Sequence, residues 1–348
     1  MVSPPGEEHR VRHAAHRVHG ARDRARGRHP EERAGAGGGG PDAALGPEEG
    51  DPQAVSQAAP SGTVGRLLAN ARFEIVPTDG LEAELRHLAP GTTVTVTCSP
   101  RKGIDRTLEI AEHVQGRGFR AVPHLSARLV TGRSHLRAIL RRASDAGFRE
   151  LFVVGGDATE PAGPYASAGE LLREMAELDH GVEAVGVAAY PERHPLIDEE
   201  ELLRALLEKQ PFAHHMVTQI CFDPGALVRW LDEVRGRGVT LPVYVGVAGA
   251  VRRRRLLEIS LRVGIGDSVR YLTKHGGIVA RLLRGGSYRP DGFLAGLAPL
   301  VAGREDVLGL HLNTFNQVEA TERWRREALR AYGYAPAAEA FPEEDAAS

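Results

Sequence analysis

From Phe73 to about Asn316 the chain repeats one pattern: a short apolar run rich in β-branched residues, a polar or glycine-bearing turn, then a longer amphipathic stretch. The apolar runs are Phe73–Pro77, Thr93–Cys98, Ala121–Leu125, Leu151–Gly155, Ala184–Ala189, Met216–Phe222, Val243–Val247 and Val307–Leu312, eight in all. Several, such as Leu151–Val154 and Val243–Val247, are apolar on both faces, as strands are when helices cover them; a half-exposed antiparallel strand would alternate. The intervening stretches have helical spacing: Leu136, Ile139, Leu140 and Ala143 share one face, and so do Leu227, Trp230, Leu231 and Val234. Gly118, Gly147 and Gly238 each follow such a stretch, where a helix C-cap needs a left-handed residue. Eight strands joined by helices predict a single (β/α)8 TIM barrel, with a doubly wound open sheet as the competing architecture. The stretch Ile265–Gly303 is longer than one crossover and predicts an added helix before the eighth strand.

The ends read differently. Residues 1–62 hold few large apolar side chains and include the run Gly37–Gly40, so they cannot bury enough surface to offset chain entropy and are expected to be a disordered extension. That leaves 63–330 for the barrel and 331–348 as a frayed acidic tail. The length of 348 residues admits one barrel of about 250 residues and not two. A net charge of −2 gives no basic field to hold nucleic acid or an anionic membrane. No apolar run approaches the ~18 residues of a membrane span, and no apolar segment follows the N-terminal charges, so a cytoplasmic protein is expected. Cys98 and Cys221, the only cysteines, fall in the second and sixth predicted strands, on opposite sides of a barrel, and are expected as free thiols.

In such a barrel the chemistry sits at the C-terminal ends of the strands. Reactive side chains fall there: Glu74 in the first strand, Thr97 ending the second, His124 ending the third, and Asp157 after Gly155-Gly156 at the fourth. Tyr190 and His194 follow the fifth, Gln219 lies in the sixth, and His311, Asn313 and Asn316 close the eighth. A carboxylate among apolar neighbours, as at Glu74, is either paired or has its pKa raised, and a raised pKa makes a general acid near neutral pH. A metal-dependent hydrolase could gather His124, Asp157, His194 and His311, though no strand carries the H-x-H pair that would place two ligands together. Gly264-Ile265-Gly266-Asp267 lacks the third glycine of a dinucleotide fingerprint. The run Arg252–Arg255 could grip a phosphate, but arginines opening a helix also form an ordinary solvated face.

Taken together, Phe73-Glu74-Ile75-Val76-Pro77, Val96-Thr97, Pro123-His124-Leu125, Gly156-Asp157, Tyr165-Ala166-Ser167, Ala189-Tyr190-Pro191-Glu192-Arg193-His194-Pro195, Thr218-Gln219-Ile220-Cys221-Phe222-Asp223 and His311-Leu312-Asn313-Thr314-Phe315-Asn316 resemble the methylenetetrahydrofolate reductase family in order and spacing. The resemblance covers about residues 70–325 and implies a (β/α)8 barrel that binds FAD and reduces 5,10-methylenetetrahydrofolate to 5-methyltetrahydrofolate with NADH or NADPH. It implies that Glu74 is the general acid, that Asp157 faces flavin and pterin, and that Gln219 binds the pterin. By the same resemblance Thr97, His124, Gly156, Asp157, Ala166, Tyr190, His194 and Lys209 fall where the family holds FAD.

Departures from the family pattern cluster on the dinucleotide side. Gly155 stands where the family has an arginine, Leu202 and Ala205 stand where it has polar residues, and Gly246–Gly249 replaces its Gly-Ile-Leu-Pro turn. A weakly held FAD is therefore expected, and a flavin-free barrel that keeps only the folate site is the alternative.

Overall fold

The computed structural model describes residues 61–78, 80–194, 196–254, 256 and 286–334. The readings made for residues 1–60, for Gly264–Asp267, for Arg255 and for the tail beyond Tyr334 lie outside them. The described chain opens with helix α1 (Ser61–Ala69), which begins within the stretch assigned to the extension. Its Val64, Leu67 and Leu68 have the i, i+3, i+4 spacing of a buried helical face, and all three are fully buried.

In chain order the strands are β1 (Arg72–Ile75), β2 (Thr93–Val96), β3 (Arg120–Ser126), β4 (Glu150–Val154), β5 (Ala184–Ala189), β6 (His215–Thr218), β7 (Val243–Ala248), the short β8 (Val251–Arg252) and β9 (Ser287–Tyr288), and β10 (Val307–Asn313). All but β8 and β9 close into a barrel in the order β1-β10-β7-β6-β5-β4-β3-β2, every neighbouring pair parallel. β8 and β9 form a separate antiparallel ribbon, so Arg252 belongs to a strand rather than to a helix. The helices that cover the sheet include α2 (Leu81–Leu85), α3 (Gly103–Gly116), α4 (Arg133–Asp145), α5 (Ala168–Ala176), α6 (Glu199–Lys209), α7 (Pro224–Gly236), α8 (Asp291–Leu300) and α9 (Val318–Ala331). The helix expected before the eighth barrel strand is α8. No described helix is long and apolar enough to cross a membrane.

The reason for the closed parallel sheet lies in the outward-facing residues. Phe73 and Ile75, Val94 and Val96, Leu151 and Val153, Val185 and Val187, Val243, Val245 and Val247, and Leu310 and Leu312 are all buried in the layer shared with the helices. The helix faces read from the sequence complete that layer: Leu136, Ile139, Leu140 and Ala143 of α4 are each at most 3% exposed. Side-chain caps fix where helices start at the mouth. Ser167 accepts from the Glu170 amide while Glu170 accepts from the Ser167 amide, a reciprocal capping box that opens α5. Asp198 and Asp223 cap α6 and α7 through their own carboxylates.

Three strands, β1, β2 and β6, are shorter than the apolar runs that predict them. β2 stops at Val96 and β6 at Thr218, so Cys98, Gln219 and Cys221 lie beyond strand ends rather than within strands. The run past β6 stays apolar for another purpose. Ile220 and Phe222 pack with Ala248, Val251 and Leu256 in a small second core beside the β8–β9 ribbon. Both cysteines are free thiols.

Candidate active site

The two-residue period of a strand sends Arg72 and Glu74 to the face opposite Phe73 and Ile75, which is the inside of the barrel. Arg72 forms an ion pair with Glu150, the first residue of β4. His215, the first residue of β6, sits 3.2 Å from the same carboxylate, and the Arg72 guanidinium lies 3.8 Å over the Tyr244 ring. Burial pushes the Glu150 carboxyl up, but the His215 hydrogen bond and the Arg72 charge outweigh it and bring the pKa down to about 2. This paired cluster fills the barrel at the N-terminal ends of its strands.

One layer toward the C-terminal ends lies a second polar group. His311 Nε2 is 3.0 Å from Glu74 Oε2, and His124 Nε2 is 3.9 Å from the same oxygen. Phe152 neighbours both imidazoles, its ring centre 4.7 Å from that of His124 and 6.4 Å from that of His311. The Glu74 side chain keeps 18% of its surface accessible, against 3% for His311 and 8% for His124. Burial lowers His124 to about 4, so its ring is neutral at pH 7.

For Glu74, burial acts upward, but the His311 hydrogen bond and the proximity of His311 and His124 act downward and prevail. Of the two alternatives for a carboxylate among apolar neighbours, Glu74 takes the paired one, and its pKa lies below the ordinary range.

The mouth holds the remaining candidates. Asp157 follows Gly156, which adopts φ 94°. Its charge acts on Tyr190, whose phenol is raised first by burial and then by Asp157, and on His194, which burial lowers and Asp157 raises. Tyr190 and His194 meet edge to face at 5.1 Å between ring centres. Gln219 uses its Oε1 to accept from the Ile220 amide at 2.9 Å, which leaves the amide NH2 as its donor end. Thr97 donates its backbone N–H to Ile75 and accepts at its carbonyl from Thr107. Asn316 closes the rim by bonding both backbone groups of Val76 and the Thr78 hydroxyl.

Lys209 reaches from the last turn of α6 to the Ala188 carbonyl at 3.0 Å, and among the described residues it has no carboxylate partner. Burial lowers it to about 8. Among the described residues no group of three or more His, Cys, Asp or Glu is placed to hold a metal ion, and the four proposed hydrolase ligands divide between the interior group and the mouth.

A barrel with an inward carboxyl at the first strand and an Asp–Tyr–His group at its mouth is the setting in which residues 82–258 match the family model "Methylenetetrahydrofolate reductase". The chain belongs to the methylenetetrahydrofolate reductase family. It is 30% identical over 118 residues to methylenetetrahydrofolate reductase 1 of Schizosaccharomyces pombe, covering 32% of this chain and 20% of that protein. It is 25% identical over 139 residues to methylenetetrahydrofolate reductase 2 of Saccharomyces cerevisiae, covering 35% of this chain and 23% of that protein. The match thus spans about a fifth of the length of the curated relatives. Among solved structures the chain is similar to a dihydropteroate synthase from Thermus thermophilus, with 15% identity, a TM-score of 0.39, and 76% of this chain and 91% of that chain covered.

The family implies FAD, and the residues present fit it unevenly. A buried lysine with no carboxylate partner among the described residues suits a diphosphate, and Tyr190, His194 and Asp157 converge at the mouth. His124 does not fit: its ring is turned into the barrel toward Glu74 and Phe152. Gly155 leaves open space, with no atom within 4 Å of where a Cβ would stand. Arg128, whose backbone N–H donates to the Gly155 carbonyl, spends its guanidinium on the carbonyls of Ala158, Thr159 and Ala166.

The pairing of His311 with Glu74 and the Arg72–Glu150–His215 cluster were not legible in the sequence. Arg72, Glu74 and Glu150 could have been suspected as inward positions from the two-residue period, but their partners lie on strands far along the chain.

Proposed function

We propose that this chain reduces 5,10-methylenetetrahydrofolate to 5-methyltetrahydrofolate with electrons from NADH or NADPH, using a weakly held FAD. The observation that carries this reading is Glu74, an inward carboxyl with one oxygen bound to His311 and the other accessible to the mouth. When the methylene bridge opens, one C–N bond breaks, its electron pair stays on nitrogen, and Glu74 supplies the proton that nitrogen takes up. The remaining methylene iminium then accepts hydride at carbon. Gln219 offers its amide NH2 to the acceptor edge of the pterin. Asp157, positioned by the Gly156 turn, presents a negative charge to the iminium cation at the mouth. Lys209 would neutralise the FAD diphosphate, with Tyr190 and His194 lining its site. FAD, when bound, supplies a hydride relay between nicotinamide and folate.

A second reading, a barrel that keeps the folate site without flavin, is favoured by the inward His124 and the open space at Gly155. An absorbance spectrum of the purified protein, followed by NAD(P)H oxidation with methylenetetrahydrofolate and analysis of the folate product, tests both. A flavin spectrum with methyltetrahydrofolate formed supports the first reading. Product formed by a colourless protein supports direct transfer from nicotinamide, and no product at all overturns the reductase reading.

A further inference from the structure

Glu74 and His311 form a pair whose two ends differ. Glu74 Oε2 is engaged by His311 Nε2 at 3.0 Å, while Oε1 has no hydrogen-bond partner among the described residues and is not among the buried unpaired atoms. His311 Nδ1, by contrast, is buried and unpaired. An imidazolium at His311 would have to bury a charged Nδ1–H with no acceptor, whereas a neutral ring protonated at Nε2 leaves only a lone pair there. The charged and titratable groups facing the pair are Arg72 on the same strand, His124 from β3, Glu150 from β4 and His215 from β6. Of these, Arg72 and Glu150 neutralise each other.

We propose that His311 is a positioning residue: as the uncharged tautomer with its proton on Nε2 it donates to Glu74 Oε2, and so assigns the transferable carboxyl proton to Oε1, the oxygen open to substrate. When Glu74 acts, the proton leaves Oε1 for the folate nitrogen, and the carboxylate formed keeps the His311 hydrogen bond on Oε2. The proposal rests on the reductase reading, with Glu74 as the acid.

Two variants separate positioning from proton supply. His311→Gln retains an uncharged N–H donor, and His311→Leu retains bulk but no donor. The expected result is that Gln keeps turnover within about tenfold of the parent, while Leu lowers kcat by about 10²-fold, the usual effect of misplacing a reacting group, at little change in KM. The pH limb of kcat/KM should also move upward in Leu and stay near the parental position in Gln. Equal losses in the two variants, or an unmoved limb in Leu, would overturn the proposal, the first because His311 would then be the proton source or a purely structural residue.

Infrared titration of the Glu74 carboxyl C=O stretch, identified by its loss in Glu74→Gln, gives a readout without substrate. Its midpoint should rise in Leu and not in Gln, and an unshifted midpoint in Leu contradicts the pairing even in a protein that turned over no folate. Parental protein that fails to reduce methylenetetrahydrofolate while the midpoint shifts as expected would sink the reductase reading and leave the pairing standing.

Discussion

The Ser126 hydroxyl stands 1.8 Å from where a Cβ on Gly156 would be, at a backbone position with φ 94°. The glycine that precedes Asp157 is therefore required twice, by conformation and by the close approach of β3 to the β4–α5 loop. Gly156→Ala should destabilise the protein by about 1–3 kcal/mol and disturb Asp157. Pairing it with Ser126→Gly should recover only part of the loss, because the left-handed backbone remains. Thermal unfolding of the single and double variants checks this, and full recovery in the double variant would show that contact alone matters.

The Arg72–Glu150–His215 cluster predicts an acid-sensitive fold. Glu150 is lowered to about 2 in the folded protein, so it contributes stability that is complete above the unfolded glutamate pKa and is lost as pH falls toward 2. With an unfolded value of about 4.3, the contribution is on the order of 3 kcal/mol. Glu150→Gln should flatten the stability profile between about pH 4.5 and 2. Removing Arg72 instead leaves the buried carboxylate with His215 as its remaining partner and should cost up to about 3–5 kcal/mol near neutrality. Denaturant unfolding across this pH range decides it, since an unchanged slope in Glu150→Gln would remove Glu150 from the acid transition.

What the sequence made legible follows from where each interaction lies. The eight strands were readable because parallel strands covered by helices are apolar along their length, and Ala184–Ala189 matches its strand to the residue. The β6 boundary was not, because Ile220 and Phe222 are buried by a different core from Met216. Helix α1 adjoins a Gly- and Pro-rich stretch and is too short to show a long period. Glu74 stood out as a carboxylate among apolar neighbours. The sign of its pKa did not, since His311 lies 237 residues away and only barrel closure brings the two together.

Gly155 provides a test of the flavin site. No atom lies within 4 Å of where a Cβ would stand, so the first atom of a side chain meets nothing there. One charge-assisted hydrogen bond contributes about 1.5–3 kcal/mol, so Gly155→Arg should tighten FAD binding by about tenfold or more. Flavin retained after gel filtration, compared between parent and variant, measures it. Equal retention would mean that this position does not face the dinucleotide.

The pairing also sets a pH signature. A general acid is lost as pH rises through its pKa, and kcat/KM reports the free enzyme while kcat reports the substrate complex. Because pairing with His311 lowers Glu74, kcat/KM should fall at lower pH than kcat, for substrate seated over Oε1 removes water and raises the carboxyl. Coincident limbs in the two profiles would contradict this.

The most direct measurement is folate reduction by Glu74→Gln, which preserves side-chain volume but removes the transferable proton. Turnover of methylenetetrahydrofolate should fall by about 10²–10⁴-fold, with the unfolding temperature close to that of the parent and any reduction of bound flavin by nicotinamide intact. Folate turnover that survives the substitution, or a loss that appears only together with a collapse in thermal stability, would contradict the assignment of Glu74 as the acid.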